Sequence, residues 1–148
     1  MTFFAADPKY EARVRESFAR QGFMRLLGAE MTRLEPGVCE LTLHPRPELC
    51  QQHGYVHAGA TAAIADTAAG YAGYSLMPAD SSVLTVEFKL NLLAPAAGSV
   101  LIARARVRKP GRTLTVVDCD VVALQDGAEK TVATLTGTLL CLRNTADA

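Results

Sequence analysis

The feature that most constrains this chain is a run of small and apolar residues between Gly54 and Ala79, in which Asp66 is the only formally charged residue. The part from His57 to Ser75 contains no proline and is long enough to form a helix rather than a strand. We therefore predict a central helix over about residues 57–76. Apolar side chains lie on every face of this helix, which is typical of a helix enclosed by other structure.

Three glycines interrupt the predicted helix, Gly59, Gly70 and Gly73, although each costs a helix roughly 1 kcal/mol relative to alanine. We interpret them as positions where other backbone packs close to the helix. Two simpler interpretations are a transmembrane span and a core helix whose Asp66 is satisfied by a hydrogen bond. A charge in the middle of the segment, and alanine in place of larger apolar residues, disfavour the span.

Length and charge narrow the class of protein. A chain of 148 residues is typical of one domain with a real core, so we treat residues 1–148 as a single domain. Fifteen basic and fifteen acidic residues cancel, which argues against a nucleic acid or an anionic membrane as partner. No secretory signal is evident at the N-terminus, and the four scattered cysteines show no metal-ligand spacing. We expect reduced thiols, no metal and a cytoplasmic location.

The segments around the central helix alternate between helical and strand periodicity. Asp7-Pro8 is a helix start signal, and Tyr10, Val14 and Phe18 recur every four residues, which predicts an amphipathic helix over about residues 8–20. Residues 23–27 are expected to form a short apolar turn. Six strands are predicted from alternating polarity, at about residues 29–34, 38–44, 82–92, 101–108, 113–124 and 131–142.

Two of these strands carry patterned polar residues. In the third strand, Leu84, Val86, Phe88, Leu90 and Leu92 are expected on one face, which leaves Thr85 on the polar face. In the fourth strand, the alternating Arg104, Arg106 and Arg108 favour a solvated face over a phosphate clamp. Asp118 and Asp120 should face these arginines across the hairpin.

One helix cannot cover six strands unless the sheet curls, so we predict an α+β fold with a bent antiparallel sheet wrapped around the helix.

Three segments carry a resemblance to a known family. Residues 51–70 read QQHGYVHAGATAAIADTAAG, residues 85–96 read TVEFKLNLLAPA and residues 109–114 read KPGRTL. These motifs resemble those of hotdog-fold acyl-CoA thioesterases of the PaaI (phenylacetyl-CoA thioesterase) type. The resemblance implies a hotdog fold and hydrolysis of an acyl-CoA by water, with an aromatic group such as phenylacetyl or a medium-chain group as the acyl part. It implies no cofactor beyond the coenzyme A of the substrate.

The same resemblance implies roles for individual residues. Asp66 would activate or position the water, and the backbone N–H groups of Ala58 and Gly59 would polarise the thioester carbonyl. Gln51 and Thr85 would complete the catalytic group. The family's His-Gly-Gly sequence reads His-Ala-Gly here, so the donor residue Ala58 carries a methyl group.

Physical chemistry supports part of this assignment independently. A helix N-terminus presents unpaired N–H donors and the positive end of a dipole, which suits a developing oxyanion. Apolar surroundings should raise the pKa of Asp66, which suits a general base. His57 is expected to contact substrate or to cap the helix, and Gln51 could instead bond its own loop. Arg112, in a turn, is the candidate for a CoA phosphate.

Two other functions remain open from the sequence. One is a hotdog hydratase or dehydratase, although the Asp or Glu paired with His that such enzymes use is not evident. The other is a protein that binds acyl-CoA or an aromatic acyl group without turnover. No serine-hydrolase elbow, phosphate-binding glycine loop or redox-cofactor fingerprint is found.

Helix geometry also predicts assembly. The donors at Ala58 and Gly59 lie roughly 10–12 Å along the helix axis from Asp66, at about 1.5 Å per residue. A thioester carbonyl and its attacking water must lie within about 3 Å of their catalytic groups. One chain therefore cannot supply both groups, whereas two antiparallel copies can. We predict a homodimer with shared active sites, and the resemblance adds a possible tetramer.

Overall fold

The computed structural model describes residues 1–145 and 147 of the chain. Its helices are α1 (Tyr10–Arg20), α2 (Gly22–Leu27) and α3 (Ala58–Tyr74), and a 3-10 turn at Pro47–Leu49 precedes α3. Its strands are β1 (Glu30–Glu35), β2 (Val38–Leu43), β3 (Ser81–Leu92), β4 (Val100–Lys109), β5 (Leu114–Gln125) and β6 (Ala128–Arg143). No helix within the described residues is long and apolar enough to cross a bilayer.

The strands form one antiparallel sheet in the order β1-β2-β4-β5-β6-β3, so that β1 and β3 are its edges. Helix α3 packs on the inner face of this sheet, against β2 to β6. Inward-facing residues such as Leu41, Leu101 and Val121 are fully buried beneath it, as is Ile64 of the helix. The predicted α+β arrangement, a curved antiparallel sheet around a central helix, is therefore confirmed. The central helix is two residues shorter at its C-terminal end than predicted.

Helix α1 lies across the core as its periodicity predicts, with Val14 fully buried. It begins at Tyr10, later than the start signal indicates. The Asp7 carboxylate accepts a 2.9 Å hydrogen bond from the Lys9 N–H and a 2.8 Å bond from Arg13. Because Asp7 orders the turn before the helix, it does not serve as the N-cap.

The short apolar segment after α1 forms a helix instead of the predicted turn. Helix α2 spans Gly22–Leu27 and buries Met24 and Leu27. It ends at Gly28, whose φ of 74° is the left-handed conformation that glycine adopts most readily at a helix end.

Strand β3 contains a bulge. Its pairing with β6 steps from Thr85 opposite Leu139 to Glu87 opposite Thr138, which leaves Val86 as an extra residue. Residues paired across two strands share a face, and Leu139 is buried in the core. Thr85 therefore lies on the inner face, towards α3.

The bulge makes the predicted faces of this strand wrong in its first half. Leu84 pairs with Leu140 and lies on the outer face, opposite to the prediction, and Thr85 lies on the inner one. An extra residue in one strand shifts the inside–outside alternation by one position. After the bulge the prediction agrees with the structure, because Leu90 pairs with the buried Leu135.

The arginines of β4 lie on the outer face of the sheet, in a network of ion pairs. Arg104 stands opposite Asp120 in register, as predicted, but its guanidinium bonds the Glu129 carboxylate at 2.6 Å and 2.7 Å. Arg108 pairs with Asp118. These exposed pairs favour the interpretation as a solvated face.

The glycines of α3 have different surroundings. A side chain at Gly73 would collide with Leu139 of β6, so the sheet does approach the helix closely there. At Gly70 an added Cβ would meet no atom of the described residues within 4 Å outside its own helical turn. The interpretation as close-approach positions is therefore correct for Gly73, whereas at Gly70 no part of the described chain makes such an approach.

Candidate active site

Asp66 lies half-buried on the one face of α3 that the sheet leaves open, together with Ala63, Thr67 and Gly70. These residues recur at the three- and four-residue spacing of one helix face. They line a cavity of about 460 Å³ that is also bordered by α1, α2, Asp147 and the inner face of β3. A volume of this size is in the usual range for small-molecule sites, about 300–1,000 Å³.

The Asp66 carboxylate, on the wall of this cavity, is held by β3. Thr85 Oγ1 donates a 2.8 Å hydrogen bond to Asp66 Oδ1. Burial raises the pKa of Asp66 and is the larger influence, whereas the bond from Thr85 lowers that pKa. A carboxylate with a raised pKa and one oxygen fixed in place has its second oxygen available to take a proton from water.

The far wall of the cavity is a polar network that sequence reasoning missed. The hydroxyls of Tyr71 and Ser17 share a 3.1 Å hydrogen bond, and Gln21 Nε2 donates to the Tyr71 hydroxyl at 2.8 Å. Burial raises the pKa of Tyr71, so the phenol stays neutral. The network ties α1 and the start of α2 to α3. Ser17 lies in α1, whereas Gln21 has an extended backbone between α1 and α2, so no helical spacing in the sequence marks the two as part of one site.

The N-terminus of α3 is capped by His57. Its Nδ1 accepts a 2.8 Å hydrogen bond from the Gly59 N–H, and its carbonyl accepts from the N–H groups of Ala60 and Thr61. Within residues 1–145 and 147, the N–H of Ala58 has no such acceptor among the hydrogen bonds of the helix start. Of the two predicted donors, Ala58 is therefore the one with a free N–H.

Gln51 belongs to the tight turn that leads into this helix. Its side-chain oxygen accepts from the His53 N–H, and its backbone N–H donates to Tyr55 at 2.8 Å. The loop-bonding alternative from the sequence is thus present, and it leaves the side-chain NH₂ group as a donor. Gln51, His57 and Ala58 line a second cavity, of about 390 Å³.

Thr61 also borders the second cavity, and sequence reasoning did not select it. Its hydroxyl is fully buried and has no hydrogen-bond partner among the residues that the structure describes. A buried polar group of this kind is uncommon in folded proteins. No sequence signal separates it from a threonine that packs in the core.

Arg112 lies at the opposite end of the helix. It borders a small cleft beside Met77 and Pro78, just beyond the C-terminus of α3. The 17 residues of α3 span about 25 Å at 1.5 Å per residue. Within one chain, Arg112 therefore lines neither the Asp66 cavity nor the Ala58 cavity.

The structure thus sorts the predicted site residues into three places in one chain. Asp66 and Thr85 come together in the first cavity. Gln51, His57 and Ala58 come together in the second, with Gly59 bonded to His57 at its edge. Arg112 stands apart from both.

Comparison with a family model and with a curated relative gives the chain its place among known proteins. Residues 53–130, which include α3 and strands β3 to β5, match the model of the thioesterase superfamily. The acyl-coenzyme A thioesterase PaaI of Escherichia coli is 32% identical over 115 residues, which cover 76% of this chain and 77% of that protein.

Solved structures agree with this placement. A thioesterase family protein from Silicibacter pomeroyi superimposes with a TM-score of 0.89 at 49% identity, covering 90% of this chain and 98% of that one. The E. coli PaaI structure superimposes with a TM-score of 0.83 at 25% identity, over 93% and 96% of the two chains. Together with the half-buried acid on the central helix, these similarities show that the chain belongs to the thioesterase superfamily, in its hotdog, PaaI-like branch, and is a thioester hydrolase.

Proposed function

We propose that this thioester hydrolase acts on acyl-CoA and releases a carboxylic acid and coenzyme A, with an aromatic group such as phenylacetyl or a medium-chain group as the acyl part. The observation that carries the proposal is Asp66, half-buried on the wall of a cavity and bonded to Thr85. The name of the E. coli relative, an acyl-coenzyme A thioesterase, supports the substrate class. Coenzyme A enters only as part of the substrate.

In the proposed reaction the Asp66 carboxylate removes a proton from a water molecule, whose oxygen attacks the thioester carbonyl carbon. The carbonyl oxygen becomes an oxyanion, which accepts a hydrogen bond from the Ala58 N–H of the partner subunit at the positive end of its helix. Collapse of the tetrahedral intermediate breaks the carbon–sulfur bond. The CoA thiolate leaves and takes up the proton that Asp66 had removed from the water molecule.

We further propose that the working unit is a homodimer with two shared sites. Ala58 and Asp66 lie eight residues apart, or about 12 Å along the helix, and they line different cavities. At the start of α3, the small residues Ala58, Gly59 and Ala62 are not fully buried, which would allow a second helix to approach there. An antiparallel copy of α3 would bring the Ala58 end of one chain to Asp66 of the other.

Strand β3 supplies a second argument for the dimer. It is an edge of the sheet, so one side of its backbone is unpaired. Leu84, Val86, Phe88 and Leu92 on this strand are 41–57% exposed, and an exposed apolar edge strand pairs readily with another chain. Two copies of β3 could therefore continue one sheet across the two-fold axis. Pairs of such dimers could form a tetramer.

The test of the activity is thiol release from a panel of acyl-CoAs, followed with a thiol reagent. Asp66→Asn should lower the turnover rate by about 10²–10⁴-fold, the usual effect of removing a general base, and should leave the fold intact. Turnover by Asp66→Asn at the wild-type rate would refute the role of Asp66. Saturable binding of acyl-CoA without turnover by the wild type would favour a binding protein instead.

Complementation tests the shared site. Subunits with Asp66→Asn would be mixed with subunits that carry Gln51→Ala and Ala58→Pro. The proposal expects each mixed dimer to regain one intact site, hence up to half of the wild-type activity per dimer. Proven heterodimers without activity would contradict a shared site, as would an active monomer.

Arg112 is proposed to bind the CoA phosphates from the other end of the dimer. An antiparallel partner would carry its Arg112 turn back towards the start of α3, where the thioester is expected. Arg112→Ala should raise KM for acyl-CoA and leave small thioesters without a nucleotide unaffected. Equal effects on both substrates would instead indicate a structural role in the turn beside Pro110.

A cytoplasmic location is proposed because all four cysteines are free thiols, which persist in reducing compartments.

A further inference from the structure

Gly70 is an unexplained glycine in the middle of the central helix. Glycine in the middle of a helix is destabilising relative to alanine, so its presence there calls for a packing or functional reason. Gly73 has one, since Leu139 occupies the space where its side chain would lie. At Gly70 the space is empty of any described atom within 4 Å of an added Cβ.

The empty space at Gly70 is part of the Asp66 cavity. Gly70 lines that cavity and follows Asp66 by four residues, so the two lie on one helix face about 6 Å apart along the axis. The tyrosine network closes the far wall beyond Gly70. An acyl group whose carbonyl is held beside Asp66 would thus extend over Gly70 before it reaches this wall.

We propose that Gly70 sets the size of the acyl group that the protein accepts, by leaving open the space that an aromatic ring or a branched chain next to the carbonyl requires. This rests on the proposed function of the Asp66 cavity. A cavity of about 150 Å³ is large enough for benzene, and the Asp66 cavity is about 460 Å³. A larger side chain at residue 70 would take up the part of that volume one helical turn beyond Asp66.

The experiment compares Gly70→Ala, Gly70→Val and Gly70→Leu with the wild type on acetyl-, butyryl- and phenylacetyl-CoA. With Gly70→Val and Gly70→Leu, kcat/KM for phenylacetyl-CoA should fall at least 10-fold relative to acetyl-CoA, because overfilling a pocket of fixed shape excludes larger groups. Gly70→Ala should show a smaller shift in the same direction and a higher melting temperature than the wild type. Unchanged relative preference in all three variants would overturn the proposal.

Ala12→Val is the matched control. Ala12 is exposed on α1 and does not line the Asp66 cavity, and the replacement adds the same branched side chain to a helix. It should leave the relative preference unchanged. If Ala12→Val changes the preference as much as Gly70→Val does, or if Gly70→Val dissociates the assembly in light scattering, the space at Gly70 does not select the acyl group and the proposal is wrong.

A binding measurement separates this inference from the proposed function. Thioether analogues of phenylacetyl- and acetyl-CoA cannot be hydrolysed. Their affinities, measured by calorimetry, therefore report whether the acyl group fits the cavity, independently of turnover. If Gly70→Leu loses affinity for the phenylacetyl analogue but keeps it for the acetyl analogue, the inference holds even if turnover is absent. Suppose instead that the wild type hydrolyses acyl-CoA and that Gly70→Leu binds the two analogues with the same relative affinity as the wild type. The proposed function would then stand, and the role of Gly70 would be overturned. A wild type that neither binds nor hydrolyses any panel member would overturn both.

Discussion

The hydroxyl of Thr85 donates a 2.8 Å hydrogen bond to the carboxylate of Asp66, and so joins the edge strand β3 to the central helix across 19 residues of sequence. Two opposing influences meet at this carboxylate. Burial disfavours its charged form and raises its pKa, and the bond from Thr85 stabilises the charged form and lowers that pKa. The balance determines the pH range over which Asp66 can act as a base.

Thr85→Val should move the acidic limb of the pH–activity profile to higher pH. The replacement removes the hydrogen bond that lowers the pKa of Asp66 and keeps a side chain of similar shape. A base must be deprotonated to act, so activity below the raised pKa should be lost and activity at high pH largely kept. The measurement is kcat/KM against pH, with Thr85→Ser as the control that retains the hydroxyl. An unshifted limb in Thr85→Val would show that the bond does not influence the working carboxylate.

Asp66→Asn should stabilise the fold while it removes activity. The folded protein has a higher pKa at Asp66 than the unfolded chain, so the folded state binds more protons in the range between the two values. The contribution of Asp66 to stability is therefore largest at low pH, falls as pH rises through this range, and is unfavourable at neutral pH. We expect a melting temperature above that of the wild type at pH 7, with a smaller difference under acidic conditions. A lower melting temperature at pH 7 would mean that the hydrogen bond outweighs burial.

His57→Ala should destabilise the protein by about 1 kcal/mol, the usual effect of losing a side chain that caps a helix N-terminus. Its Nδ1 accepts the Gly59 N–H at 2.8 Å, and alanine leaves that donor without its partner. His57→Asn offers an amide oxygen at the same position and should recover most of the loss. Denaturant unfolding measures both variants. Equal losses in the two would indicate that His57 contributes through packing instead.

Gly73→Ala should destabilise the protein by roughly 1–3 kcal/mol, because its methyl group would displace Leu139 in a packed core. Gly70→Ala, three residues earlier in the same helix, should be neutral or stabilising by about 0.5–1 kcal/mol, since nothing described occupies its space. Both variants replace glycine with alanine inside the same helix, so their change in helix propensity is the same. The difference between their free energies of unfolding therefore reports how each position is packed. Similar effects at both positions would contradict the difference in packing.

The sequence was sufficient for the features that depend on local periodicity. The central helix, the amphipathic helix α1 and the six strands were predicted within a few residues, because the spacing of apolar residues reports which faces are buried. Asp66 was identifiable as the only acid in an apolar helix. The prediction that the carbonyl donors and the base lie too far apart for one chain followed from helix rise alone, and the two cavities agree with it.

Only the tertiary structure decided which of these residues meet. The bulge at Val86 turns Thr85 towards Asp66, and a strict alternation would have turned it away. The bond between Tyr71 and Ser17 joins residues 54 positions apart, and the different surroundings of Gly70 and Gly73 depend on where β6 crosses the helix. The periodicity of apolar residues indicates whether a position is buried. It does not indicate which distant side chain lies opposite, because that depends on strand register and on the packing of elements far apart in the chain.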